Sequence, residues 1–340
     1  MRHLPHAVPA VLPLFCLLNA CGHPPAAVVR VGRLPVAPGI SLYYRLIGAG
    51  RDTAIVLHGG PGLHAHYLEP GFDPLAADRV LIYYDQRGRG RSDAVTDSTA
   101  LTAASDVEDL DSLRRYFRLS RVTLFGHHWG AVLAALYAKR YPAQVSRLML
   151  VGPSYPHATY LFWAATLHQG DKAVDRYLAA LRAGQDSTDP RGFCSQFWGF
   201  YFSPTPVVSP RLVREFSDDM CDVAPSALRA SWVLNRLVAS SVHGLNLRDT
   251  LGSLTSPTLV VAGSADTARV EAARTWARWI PGAREVVLSG AEPFPWLGAR
   301  RRFLRDARTF LDGAWPDDAV TVTDAKPDGR SLAHRPVNSQ

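Results

Sequence analysis

The chain has 340 residues, 47% of them apolar and 20% charged, which excludes a wholly disordered protein and leaves room for a large core or a core with an inserted subdomain. Lys and Arg total 37 against 30 Asp and Glu. That excess is scattered along the sequence rather than gathered into one stripe, so no nucleic-acid partner is expected.

Arg2 gives the N-terminus a positive start, and Ala7 to Leu18 is apolar apart from two prolines, too short to span a bilayer. The stretch ends in Leu18-Asn19-Ala20-Cys21-Gly22, which resembles a bacterial lipoprotein cleavage site, with an aliphatic residue three before the cysteine and a small one just before it. The resemblance implies a signal peptide over 1–20, acyl chains on Cys21 and an exported protein held at a membrane of the bacterial cell envelope. The alternative is a plain secretory signal in which Cys21 is incidental. With Cys16 removed and Cys21 acylated, Cys194 and Cys221 remain, and an even pair in an oxidising compartment suggests a disulfide. Two separately buried thiols are the other reading. Residues 21–28 (CGHPPAAV) read as a tether.

Beyond the tether come short β-rich pieces at Val28 to Val31 and Leu42 to Arg45, then a continuous apolar run, Ala54 to Leu57. Such a run fits a buried parallel strand. The form recurs at Val80 to Tyr84, Val122 to Phe125, Leu148 to Val151 and Leu259 to Ala262, with helical stretches in most gaps. The alternation predicts an α/β fold with a doubly wound, mostly parallel sheet, its core in residues 29–153 and 257–312. Between them, 154–256 has helical and aromatic patterning and the size of an inserted cap. The aromatic segment Phe193 to Phe202 (FCSQFWGFYF) in it fits either a pocket lining or the cap's own core, with core the role expected for most of its rings. Residues 313–340 turn to Pro, Asp, Thr and Ser and read as a disordered tail.

Three motifs fall at strand ends. His58 to Gly62 (HGGPG) follows the run at 54–57, and its glycines let backbone amides approach an oxyanion. Asp85 to Ser92 (DQRGRGRS) follows the next strand, and Gly126-His127-His128-Trp129-Gly130 lies between the strand VTLF and a helix beginning near Ala131, the setting of a nucleophile elbow. Together they resemble the α/β-hydrolase family, in particular its proline iminopeptidase branch, over most of residues 40–312. The resemblance implies a hydrolase of peptide or ester bonds with Gly60 and Trp129 as backbone oxyanion donors, and it puts His128 where the family has its nucleophilic serine. The segment PTLVVAGSADT (Pro257 to Thr267) makes Asp266 the acid. The family's base histidine falls on Ala291 or on Pro293, depending on whether Ser289-Gly290 or Phe294-Pro295-Trp296 anchors the comparison, and no histidine lies between Asp266 and Asp312.

With two of three triad positions replaced, only the roughly 10³ to 10⁴-fold acceleration of binding and an oxyanion hole is expected to remain. The leading expectation is therefore a pseudoenzyme that takes a small molecule or short peptide between core and cap, without metal or cofactor. The rival is a hydrolase that uses His128, or a metal it ligates, since His58, His64, His66, His127 and His128 all belong to loops near one sheet edge. None of these shows a recognisable ligand spacing. His157 and His243 are candidates for a displaced base. Glu215, Asp218, Asp219 and Asp222 are candidates for the cap carboxylates with which the family's aminopeptidases hold a substrate amine, and an acidic helix face explains them equally well.

Overall fold

The structure, a computed structural model, describes residues 29–154, 172–202, 209–242, 247–265, 267–291 and 294–323. Cys21, His157, His243, Asp266 and Pro293 lie outside them. Eight strands, β1 Val29–Ala37, β2 Ile40–Ile47, β3 Thr53–Leu57, β4 Val80–Tyr84, β5 Val122–His127, β6 Val145–Val151, β7 Thr258–Gly263 and β8 Arg284–Leu288, form one sheet in the order β1-β2-β4-β3-β5-β6-β7-β8. The first two are an antiparallel hairpin laid against β4, and all neighbours from β4 to β8 are parallel. This is the α/β-hydrolase architecture, and the continuous apolar runs are its doubly covered strands. Strand β1 runs well past Val31 because it is an edge strand, where Pro35 is tolerated; the register shifts between Pro35 and Ala37.

Alternation along each strand feeds two cores. Ile55, Leu57, Ile82, Tyr84, Leu124 and Leu148 face one side, while Ala54, Val56, Leu81, Tyr83, Phe125 and Met149 face the other. Helix α1 (Ala103–Tyr116) and helix α2 (Trp129–Arg140) cover the first side. The Thr102 side chain caps α1 by accepting from the Ser105 amide.

Between β6 and β7 lie α3 (Lys172–Arg182), α4 (Pro190–Tyr201), α5 (Pro210–Cys221), α6 (Pro225–Ser240) and α7 (Leu247–Gly252). A disulfide joins Cys194 of α4 to Cys221 of α5, with their Cα atoms 5.9 Å apart. Leu247, Leu251 and Leu254 already belong to the main core, so the chain rejoins it ahead of Pro257. Helix α8 (Thr267–Trp279) then adds Trp276 to the first side, and α9 (Arg300–Leu311) adds Phe303 and Phe310 to the second. Residues 313–323, whose composition points to a tail, are held to the core. Val320 bridges Glu285, and Trp315 packs on Phe310 at 5.3 Å. Composition misses this because these few residues rest on apolar surface supplied by others.

Candidate functional site

In a parallel sheet the loops at the strand C-terminal ends converge, and here those after β3, β4 and β5 carry the three motifs. His128 sits alone between β5 and α2 with φ 51° and ψ −109°, a backbone that a non-glycine residue seldom adopts. The flanking glycines make that turn sterically feasible. A Cβ on Gly126 would stand 2.5 Å from the Gly130 carbonyl oxygen, and one on Gly130 would stand 2.2 Å from that of Leu57. The His128 amide donates to the Val151 carbonyl at 3.1 Å, which pins the turn to β6.

The His128 ring is almost wholly buried. Burial, reinforced by the Arg269 guanidinium and opposed by the Gly60 backbone carbonyl, pushes its pKa down from 6.5 to about 3. The imidazole is therefore neutral at any physiological pH. A Cβ built on Gly59 would lie 3.2 Å from that of His128, so the HGGPG loop runs alongside the elbow. Gly60 has φ +123°, and the Trp129 amide heads α2, where no earlier helical carbonyl accepts it.

The HGGPG and DQRGRGRS loops clasp each other. His58 Nε2 accepts from the Gln86 amide at 3.0 Å, so its proton resides on Nδ1, which donates to the Gly59 carbonyl at 2.8 Å. Gln86 returns a side-chain bond to the His58 carbonyl. Burial drives the His58 pKa to about 3 as well, and both ring nitrogens are occupied by backbone. The Asp85 carboxylate accepts from the amides of Ala65 and Arg91, each at 2.8 Å. Arg89 reaches the Pro61 carbonyl at 2.9 Å and holds Asp106 bidentately at 2.7 and 2.9 Å, both side chains being fully buried. From the cap, Ser231 of α6 hydrogen-bonds the Gly62 carbonyl.

The other described histidines of these loops, His64, His66 and His127, do not converge on a common point. Tyr67 accepts from the Gly59 amide at 2.7 Å, and its hydroxyl lies 2.7 Å from His127 Nδ1. His66 leans outward to Glu69 at 3.3 Å, and His64 stacks beside it. Among the described residues no group of three or more His, Cys, Asp or Glu side chains is arranged to hold a metal. Of the cap acids, Glu215 pairs with Arg211 and Asp222 with Arg191, Asp218 is exposed, and Asp219 is near enough to His64 to favour its cation. Ala291 is fully buried, its carbonyl accepting the Ala265 amide at 2.9 Å.

Sequence reasoning leaves open which residues lie above the elbow. Tyr201 of α4 sits edge-on to His128 at 6.0 Å, with the Arg269 guanidinium 4.1 Å from the centre of the Tyr201 ring. Phe294, wholly buried, packs against Phe216, Phe202, Tyr201 and His127 at 4.9 to 5.4 Å. Part of the FCSQFWGFYF segment therefore roofs the elbow as well as filling the cap. Its aromatic density is the only sequence signal; Arg269 and Tyr67 carry none.

Fold and motifs together define an α/β hydrolase, and residues 54–297 match the family model for the alpha/beta hydrolase fold; the chain belongs to this family. It is 30% identical over 286 residues to a proline iminopeptidase of Lactiplantibacillus plantarum, covering 80% of this chain and 97% of that protein. Among solved structures, a proline iminopeptidase from Mycobacterium smegmatis aligns with TM-score 0.64 at 22% identity, over 83% of this chain and 98% of its own. An esterase from Exiguobacterium antarcticum aligns with TM-score 0.65 at 22% identity, over 82% and 98%. Both structures share the fold.

Proposed function

We propose that this protein is an exported, lipid-anchored α/β-hydrolase-fold binding protein that takes a small molecule or short peptide between core and cap and has lost ordinary serine-hydrolase turnover. One observation carries the reading: the elbow presents a buried neutral imidazole, His128, under an aromatic roof. A serine elbow needs a hydroxyl there and a base to deprotonate it. Ala291, one of the two positions where the base is expected, is a buried methyl group, and Pro293, the other, offers no proton acceptor either. The donors attributed to Gly60 and Trp129 are backbone groups, which survive side-chain replacement, so a carbonyl-bearing ligand still has a place to sit.

The names of the relatives make an N-terminal prolyl peptide the first probe. Prolyl-glycine is expected to bind in a calorimetric titration while prolyl-4-nitroanilide is left uncleaved, and a fluorophosphonate probe is expected to leave the protein unlabelled. Robust cleavage that survives His128→Ala overturns the reading. The second reading has His128 as nucleophile and is favoured by the neutral state of its ring. There the imidazole attacks the substrate carbonyl, expels the amine or alcohol, and water hydrolyses the acyl-imidazole. Hydrolysis abolished by His128→Ala, or by a chelator where His128 holds a metal, selects it. Anchoring rests on the lipoprotein-like segment ending at Cys21: the mature chain is expected to sediment with membranes, and Cys21→Ser to release it in high salt.

A further inference from the structure

Arginines scattered in sequence are gathered in space. Val29 pairs with Ile47, Ile47 with Leu81, and Thr53 with Val80. The described chain therefore begins at the strand N-terminal end of the sheet, opposite the end that carries His128. At that end Arg30, Arg51, Arg118 and Arg121 are exposed, distributed over β1, the β2–β3 loop and the approach to β5. Strands spaced about 4.8 Å apart place them across about 20 Å of surface. The carboxylates there include Asp52, which is exposed, and Asp78 and Asp312, which share the Arg79 guanidinium. Arg118 holds φ 53° just past the C-terminus of α1, where a cation also complements the helix dipole.

Apolar side chains accompany the charge. Val29, Tyr116 and Val320 are 51%, 50% and 56% exposed. Val29 starts β1 beside Arg30, and Val320 bridges Glu285 near the start of β8 at the other edge of the sheet, so both belong to this end; Tyr116 lies against Tyr44, which pairs with Tyr84 at the other end of β4. Arginine beside an exposed aliphatic side chain, as at Val29 and Arg30, suits a lipid headgroup layer, which accepts both charge and apolar contact. From Cys21 to Val28 there are only eight residues, about 26 Å when fully extended. A chain held at Cys21 would keep this end, rather than the cap, against the bilayer.

We infer that the strand N-terminal face of the sheet docks on an anionic phospholipid surface, turning the cap and the His128 cleft away from it. The orientation rests on the lipid-anchor reading, and the docking surface does not, so the two are tested apart. The full chain carrying Cys21→Ser is sedimented with vesicles of phosphatidylglycerol in phosphatidylcholine and with vesicles of phosphatidylcholine alone. Binding to the anionic vesicles is expected to exceed binding to the neutral ones and to weaken with salt. Each arginine removed is expected to lower the partition coefficient about five-fold, so Arg51→Gln/Arg118→Gln/Arg121→Gln loses about a hundredfold. The loop pair Arg51→Gln/Arg118→Gln, which spares the bond from Arg121 to the Val145 carbonyl, loses about 25-fold and covers the case of a misfolded triple. A cap triple of equal charge change, Arg182→Gln/Arg191→Gln/Arg211→Gln, is expected to bind as the parent does. Equal losses from both triples, equal binding to the two vesicle types, or binding to an acidic protein in place of lipid each overturn the inference.

Discussion

Tyr201 stands edge-on over His128 with ring centroids 6.0 Å apart, and the Arg269 guanidinium lies 4.1 Å from the centre of the Tyr201 ring. Three elements set this contact: α4 from the cap brings Tyr201, the β5–α2 turn brings His128, and α8, following β7, brings Arg269. The elbow residue is thereby covered by an aromatic ring with a cation beside it. A protonated His128 would add a second positive charge to that neighbourhood in a site with little water to screen it. The contact therefore belongs with a neutral imidazole.

The first prediction follows from that neutrality. His128 and His58 have folded pKa values of about 3, below their ordinary 6.5, so the unfolded chain binds more protons between those values. Stability contributed by the neutral rings is fully present above 6.5 and is lost as pH falls from 6.5 toward 3. Each ring is expected to account for about 2 kcal/mol between pH 7 and pH 5. Urea unfolding at the two pH values should show a combined loss for the parent, and His128→Asn should remove about half of it. An unchanged slope in that variant would mean that the His128 ring titrates normally in the folded protein.

A second prediction concerns the clasp between the motif loops. Arg89→Ala leaves Asp106 buried without its cation and frees the Pro61 carbonyl, so a loss of about 3–5 kcal/mol is expected. Arg89→Met/Asp106→Leu removes both charges and is expected to recover most of that loss while leaving the HGGPG loop less firmly held. Denaturant midpoints measure the recovery, and faster amide exchange at Gly59 and Gly60 in the double variant measures the loosening. A double variant no more stable than Arg89→Ala would show that packing, rather than charge pairing, dominates at this site.

The strands and the three motif loops were legible because each depends on local pattern: apolar runs at Ala54 to Leu57 and Leu259 to Ala262, and glycines where backbones nearly touch. The elbow was legible for the same reason, since Gly126 and Gly130 have to be glycine whatever stands between them. The roof was legible only as the aromatic density of Phe193 to Phe202. Phe294 and Tyr201 are far apart in sequence, and only the return of the cap over the sheet brings them together. Arg269 is one arginine among many until the Tyr201 ring lies under it. Charge on the far end of the sheet was hidden likewise, because Arg30 and Arg51 join Arg118 and Arg121 on one face only through the strand order.

The third prediction tests whether the roof depends on the cap disulfide. Cys194 and Cys221, 27 residues apart in sequence, tie the helix that carries Tyr201 to the helix that carries Phe216. Cys194→Ser/Cys221→Ser is expected to cost about 2–4 kcal/mol, read as a lower thermal midpoint. In the oxidised protein diethyl pyrocarbonate should modify His66, whose side chain is 48% exposed, well before His128. In the double variant His128 should become modified on a similar timescale. If the order of modification is unchanged, packing of Phe294 and Trp198 holds the roof without the covalent tie.

The last prediction installs the serine and histidine that the proposed reading takes as lost. His128→Ser alone should gain little, because a serine without a base is a weak nucleophile. A histidine at 291 would have to displace the neighbours of a fully buried alanine, at a cost of about 1–3 kcal/mol, so position 293 is the better place to begin. His128→Ser/Pro293→His should hydrolyse 4-nitrophenyl acetate measurably and should react with a fluorophosphonate probe at Ser alone, with Tyr201→Ala raising the rate further by opening the roof. The acceleration should exceed that of the single His128→Ser variant by more than tenfold if Gly60 and Trp129 still aim their amides at one oxyanion. A probe-reactive but slow double variant would place the defect in the oxyanion donors. An unreactive one with a normal thermal midpoint would mean that the aromatic roof and the Arg269 cation exclude the serine route even when serine and histidine are both present.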